Sequence, residues 1–256
     1  MDWSAQQYLK FENERTRPVR DLLSAVPENE VRFAVDLGCG PANSTEVLAA
    51  RFPAAEIVGI DSSPAMIEAA RHRLPTLDFE IARIETWKAP RPVDLMLANA
   101  VLQWLPDHAV LFPRLLGMLA EGGRLAVQMP DNLDQPTHRL MRELAGREPW
   151  AGKLAAALSA RTALAGAEWY FRLLAPLSRR VDVWRTTYHH PLAGGAEGVV
   201  EWVKATALRP FLDPLDERER VAFLAQYRDL VAAAYAPLPD SRVLLAFPRF
   251  FLVATR

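Results

Sequence analysis

Carboxylates and glycines stand together at two places where chemistry could be done. The string VDLGCGPAN, Val35 to Asn43, puts Asp36 two residues before Gly38 and four before Gly40. Glycines there let a backbone turn sharply and approach a ligand without a Cβ in the way. A helix opening behind such a loop presents electropositive amides. A nicotinamide-binding loop would want glycine or alanine five residues after Gly38, where Asn43 stands, and would not carry Asp36. That acid suits a ligand with an ammonium group. The second place is GIDSSPAMI, where Asp61 ends an apolar run and Ser62 follows; a carboxylate so placed can accept ribose hydroxyls.

The elements that must position these groups follow from patterning. Five short apolar runs, RFAVDL, EIVGID, LDFEIA, VDLMLAN and RLAVQM, alternate with helical segments at Ser44 to Phe52, Pro64 to Arg73 and Asp107 to Leu119. Runs this uniformly apolar suit strands buried on both faces. The alternation predicts βαβ units and a parallel sheet, with Glu121-Gly122-Gly123 stopping the last helix. The expected fold is a doubly wound, mostly parallel seven-stranded α/β sheet. Its core spans about 30–130, with added strands near 181–188 and 242–255. Helices over 1–26, 135–177 and 191–240 are expected to form a lid at the carboxyl edge of the sheet. In the last of these, Val221, Leu224, Tyr227, Leu230, Val231 and Ala234 fall at helical spacing.

Composition excludes several classes. A formal net charge of -1 argues against a dedicated nucleic-acid surface. Cys39 is the one cysteine, so neither an internal disulfide nor a cysteine metal cluster can form, and no metal is expected. A polar amino terminus and the lack of a long apolar run predict a cytoplasmic protein without a membrane span. Oligomeric state is not legible.

The motif from Asp36 to Ala42 resembles that of the class I methyltransferases, an acid followed by Gly-x-Gly-x-Gly, with Ala42 at the third glycine. An alanine there is expected to hold a right-handed backbone. The resemblance implies S-adenosylmethionine as cofactor and S-adenosylhomocysteine as product. It assigns Asp36, Gly38, Gly40, Asp61 and Ser62 to cofactor binding, and Met66 to packing on adenine. Arg83 and Ile84 stand where relatives read adenine, but Arg83 replaces the usual acid and cannot accept a hydrogen bond. Asn99 ends the fourth strand, and Gln103 and Trp104 follow beside the expected methyl position.

Longer strings extend the resemblance along nearly the whole chain: FENERTRP, NAVLQWLPDH, LAVQMPDN, VDVWRTTYHH and LLAFPRFF. They resemble members of the family that esterify one carboxylate of a small tricarboxylate, trans-aconitate, to a monomethyl ester. A carboxylate with a pKa of ~4 is already ionised at neutral pH. No catalytic base is therefore expected, and the enzyme's work is alignment and anion recognition. Candidate carboxylate ligands are Arg15 or Arg17, Arg185, Tyr188, His189 and Arg249, with Tyr8 closing over the sulfonium. Strand alternation puts Arg185 and Thr187 on one face and Thr186 and Tyr188 on the other. The rival readings are another small-molecule O-methyltransferase using a histidine base, a non-catalytic binder of the cofactor and, more distantly, a nicotinamide dehydrogenase.

Overall fold

The computed structural model describes residues 12–27, 31–204 and 206–256, without the side chains of 12, 13 and 15. Strands β1 (Phe33–Leu37), β2 (Glu56–Asp61), β3 (Asp78–Ile81), β4 (Val93–Asn99), β5 (Leu119–Pro130), β6 (Arg180–Leu192) and β7 (Val243–Thr255) form one seven-stranded sheet in the order β3-β2-β1-β4-β5-β7-β6. The pairs from β3 through β5 are parallel. β7 runs against β5: Gly122 and Gly123 bond Arg256, and the Asp131 amide bonds the Pro248 carbonyl nine residues on. All five residues of β1 are buried, as a central parallel strand covered on both faces requires.

Helices α1 (Glu12–Ser24), α2 (Asn43–Arg51), α3 (Pro64–Arg73) and α4 (His108–Gly117) connect or flank these strands. Strand order reverses between β1 and β4. That switch point opens a crevice at the carboxyl ends of the two strands, which carry the glycine loop and Asn99.

The expected helix stop at Glu121 to Gly123 lies elsewhere. Helix α4 ends at Gly117, and the two glycines sit within β5, where pairing with β4 jumps from Val93↔Leu119 to Leu95↔Arg124. Gly122 has φ +74°, and a Cβ on Gly123 would stand 2.6 Å from the Val93 carbonyl. The pair makes a bulge that only glycine fits.

Contacts divide the chain into two compact units. The first takes in the described residues of Met1–Pro130 with Leu164–Thr186 and Phe250–Arg256; the second is Asp131–Ala163 with Thr187–Arg249. Helices α5 (Pro136–Ala145), α6 (Ala151–Ser159), α8 (Gly195–Lys204), α9 (Arg209–Leu212) and α10 (Glu217–Ala234) belong to the second unit, and α1 and α7 (Ala167–Leu174) to the first. In the first unit, Tyr170 of α7 is fully buried, 5.3 Å from the Phe112 ring and 4.9 Å from Phe250. In the second, α10 starts at a capping box, Asp216 accepting from the Glu219 amide and Glu219 from the Asp216 amide. Its buried stripe is Phe223, Tyr227 and Val231. Of the residues expected inside, Tyr227 and Val231 are buried, Leu224 and Leu230 half-buried, and Val221 and Ala234 exposed; Phe223 joins the buried pair at i, i+4 and i+8. No described helix is long and apolar enough to cross a membrane.

Candidate functional site

The glycine loop leaves β1 through a run of left-handed backbone. Gly38 and Gly40 have φ +67° and +54°, and Ala42 has φ +68°. The expectation of a right-handed alanine is therefore wrong. A left-handed L-residue costs about 1–2 kcal/mol. Burying the Ala42 methyl among Cys39, Ile67, Ala70 and Phe79 offsets part of this. Ala42 also receives the chain as the first carbonyl of α2, accepting from the Glu46 amide at 2.9 Å. At Gly38 a Cβ would meet Val101 Cγ2 at 2.3 Å, whereas at Gly40 it would meet nothing within 4 Å. Gly38 is required by packing, and Gly40 lies beside open space where a ligand can approach.

Asp36 is 0% exposed. Its Oδ2 accepts from the Ser44 and Thr45 hydroxyls at 2.7 Å each, which ties the strand end to the first turn of α2. Its Oδ1 is buried without a partner. Burial pushes the carboxyl up to about 7, against the two hydroxyl bonds, with the nearby Asp61 charge adding to the rise. An orphaned carboxylate oxygen in a dry position is where a cationic ligand group gains most. Without a ligand, the folded chain retains this proton over a pH range where the unfolded chain has released it. Stability should therefore fall as pH rises from about 4 to about 7, by something of the order of 4 kcal/mol for complete charging. Denaturant melts at pH 5 and 8 should show a smaller loss in Asp36→Asn than in the wild type.

Asp61 ends β2 and accepts from the Gly40 amide at 3.0 Å and the Ser63 amide at 2.9 Å. Partial burial raises its pKa; the Ser63, Gly40 and Ser62 amides oppose this. Those amides fill much of the carboxylate's acceptor capacity and leave room for a further donor. The side chain thus fixes the glycine loop. Ser62 is exposed, and Met66 is buried at the start of α3.

Asn99 ends β4, paired in register with Gln128, and its Oδ1 is buried without a partner. The next residue, Ala100, is left-handed at φ +54°. Its amide bonds the Gln128 carbonyl at 2.8 Å, and its carbonyl accepts from Gln103 Nε2 at 2.6 Å. Gln103 therefore braces a strained turn, and strain of this kind persists where surrounding contacts over-determine it. Trp104 is half-buried. His108 bonds the Leu102 carbonyl through Nε2 at 2.8 Å and the Tyr170 hydroxyl through Nδ1 at 2.6 Å. Both ring nitrogens serve this brace.

Arg83 does not enter the cradle. Its side chain is 72% exposed and bonds Glu85 at 3.0 Å. Sequence reasoning placed a side chain at adenine; the structure puts it in solvent, with Ile84 buried behind it and the Ile84 carbonyl held by Arg114. Arg83→Ala should leave cofactor affinity within about twofold, because an exposed ion pair contributes ~0–1 kcal/mol; titration calorimetry checks this.

The second unit holds another cluster, around the ring of Phe247. Arg249, 4% exposed, lies over that ring at 4.9 Å. His138, His190 and Trp202 have ring centroids 6.4, 6.1 and 5.7 Å from it. His190 stacks on Trp202 at 4.5 Å. His138 is pushed down to about 3 by burial and by the positive charges of Arg161 and Arg142. Arg161 donates to Asn132 Oδ1 at 2.9 Å and is itself pushed down to about 10 by burial, against the pull of Asp131.

The substrate candidates therefore separate. Alternation along β6 holds: Arg185, Thr187 and His189 are exposed, while Tyr188 and His190 are buried. Arg185 lies over the Phe250 ring at 5.7 Å in the first unit. Arg17 is exposed beside Asp21. Tyr8 and the Arg15 side chain lie outside the described residues. Sequence reasoning did not single out His138, Asn132 or Arg161, and it read His190 with His189 as a solvated or capping pair, whereas His190 is buried. Extending the same alternation two residues beyond Tyr188 would have found His190.

A sheet of this order, with a glycine loop at its switch point and an acid at the end of β2, has the arrangement in which open α/β sheets bind nucleotide-containing ligands. The methyltransferase-domain family profile matches residues 34–123. Solved structures share the fold: the YcgJ protein of Bacillus subtilis (TM-score 0.59, 10% identity, 94% of this chain and 98% of that one) and Haemonchus contortus phosphoethanolamine N-methyltransferase 2 in complex with S-adenosyl-L-methionine (TM-score 0.55, 15% identity, 93% and 52%). Sequence relatives are much nearer. The trans-aconitate 2-methyltransferases of Methylobacterium radiotolerans and Methylobacterium nodulans are 56% and 57% identical, each match covering 100% of this chain and 98% of the relative. The chain belongs to the trans-aconitate 2-methyltransferase family.

Proposed function

We infer that this enzyme transfers a methyl group from S-adenosylmethionine to one carboxylate of trans-aconitate, giving the monomethyl ester. The observation that carries the substrate assignment is the buried, donor-rich cluster around Phe247, with Arg249 inside it. A buried guanidinium matches a carboxylate in geometry and charge. The named activity of the relatives agrees with that chemistry.

The cofactor, when bound, supplies an electrophilic methyl group on a sulfonium centre. Asp36 Oδ1 and Asn99 Oδ1, both buried and without partners, fit the polar end of such a molecule. Asp61 fits its ribose, and the Gly40 backbone gives it room. Met66 packs the adenine side, the role the family gives it. Gln103 and the Ala100 turn keep the end of β4 rigid, so that the carboxylate oxygen and the methyl carbon can be held in line. The nucleophilic oxygen carries its own negative charge, so no side chain has to remove a proton. Arg249 holds a non-reacting carboxylate of the acid.

The test is a methyl-transfer assay over a panel of di- and tricarboxylates, with products identified by mass. A monomethyl ester of trans-aconitate, formed faster than the ester of any dicarboxylate, supports the assignment. Methylation of a phenol or an amine in preference to every acid would refute it.

A further inference from the structure

Asn132 lies just past β5, at 1% exposure. Its orientation is set by what surrounds it: Oδ1 accepts from Arg161 Nη1 at 2.9 Å, so Nδ2 points the other way. That amide nitrogen is buried and has no hydrogen-bond partner. A primary amide carries two N–H donors there, and leaving them unmet in a dry interior is costly. Most buried amides are satisfied, so an orphan of this kind calls for a missing acceptor. The surrounding charge says what kind. Arg161 and Arg142 both bear on His138 as cations, and Arg249 is the buried guanidinium of the same unit. Asp131 balances part of this charge at Arg161. An acceptor entering such a field is best an anion.

We propose that Arg161 and Asn132 form a second carboxylate-binding dyad, which holds a non-reacting carboxylate of the substrate distinct from the one held by Arg249. Asn132 Nδ2 donates to one oxygen, and Arg161, anchored by Asn132 Oδ1, supplies the positive charge beside it. The dyad makes the enzyme select an acid with three carboxylates over one with two. This inference rests on the proposed polycarboxylate chemistry and adds the residues that count the carboxylates.

The test uses Asn132→Asp and Arg161→Lys in the full chain. Asn132→Asp keeps the shape and the acceptor for Arg161 but replaces the donor with a negative charge. Trans-aconitate KM in this variant should rise at least tenfold, with kcat changed less than threefold. Cofactor affinity by calorimetry should be unchanged, and the melting temperature should not fall. Arg161→Lys keeps the charge but loses the fork, and should raise KM by a smaller factor. In both variants the preference for trans-aconitate over a dicarboxylate should shrink at least fivefold. If both variants keep wild-type KM and preference, the dyad is overturned while wild-type turnover of trans-aconitate leaves the proposed reaction standing. A lowered melting temperature without a change in KM would mean the pair is structural, and also overturns it. If the wild type itself neither binds nor methylates trans-aconitate, the reaction and the dyad fall together.

Discussion

Replacing Arg249 by Met should raise KM for trans-aconitate by about 10- to 100-fold, the consequence of losing charged hydrogen bonds to a carboxylate at roughly 1.5–3 kcal/mol. Met reproduces the aliphatic stem of the arginine without its guanidinium, which lies over the Phe247 ring. Some stability is lost with the cation–π contact, of the order of 1 kcal/mol, so KM is compared in samples shown to be folded. The same change should affect a diester of the acid, which keeps a single carboxylate, much less, since that molecule has already lost two of its three charges. Arg249→Lys keeps the charge without the fork and should fall between. Arg185→Met is the informative contrast: Arg185 is exposed on the outer face of β6, and its removal should change KM less than threefold. His189, on that same exposed face, should likewise matter little. Steady-state kinetics on the four variants decides this, and a large effect at Arg185 with none at Arg249 would reverse the assignment.

Asp61→Ala should weaken S-adenosylmethionine binding by about 10- to 100-fold, again roughly 1.5–3 kcal/mol. Two losses combine in that figure. The ligand loses an acceptor, and the Gly40 amide loses the carboxylate that holds the loop in place. Asp61→Asn retains one acceptor oxygen but replaces the other with a donor facing an amide, and should be nearly as weak. Calorimetry with folded protein measures both. Unchanged affinity in Asp61→Ala would remove this residue from the cofactor site.

The parts of the proposed cofactor cradle were legible in the sequence because they are short-range. Asp36 lies near the end of β1 with Gly38 and Gly40 in the loop behind it, Asp61 ends the next strand, and both strands announce themselves by apolar runs. The parallel order of those strands follows from helix spacing. Backbone detail was not legible at Ala42: whether a methyl group compensates a left-handed conformation depends on Ile67, Ala70 and Phe79, which pack around it. The direction of Arg83 depends on Glu85 and on burial of Ile84, neither visible as a pattern. The second cluster was harder still. Asn132, Arg161, His190 and Phe247 are brought together by tertiary packing across more than a hundred residues, with no motif to mark them. Arginine in the last strand could be noticed from its residue type alone, yet nothing in the sequence distinguished buried Arg249 from exposed Arg185.

The central claim, that an already ionised carboxylate is methylated without a protein base, is tested most directly by single-turnover methyl transfer to trans-aconitate between pH 6 and 9, with both ligands saturating. His138 is held neutral throughout this range, pushed down to about 3, and both nitrogens of His108 are engaged in the fold. The account predicts a monomethyl ester formed at a rate constant that varies less than threefold across the range. A rate that climbs tenfold through a single ionisation near 6.5, and that is lost on replacing one histidine by alanine, would contradict it and establish a histidine base.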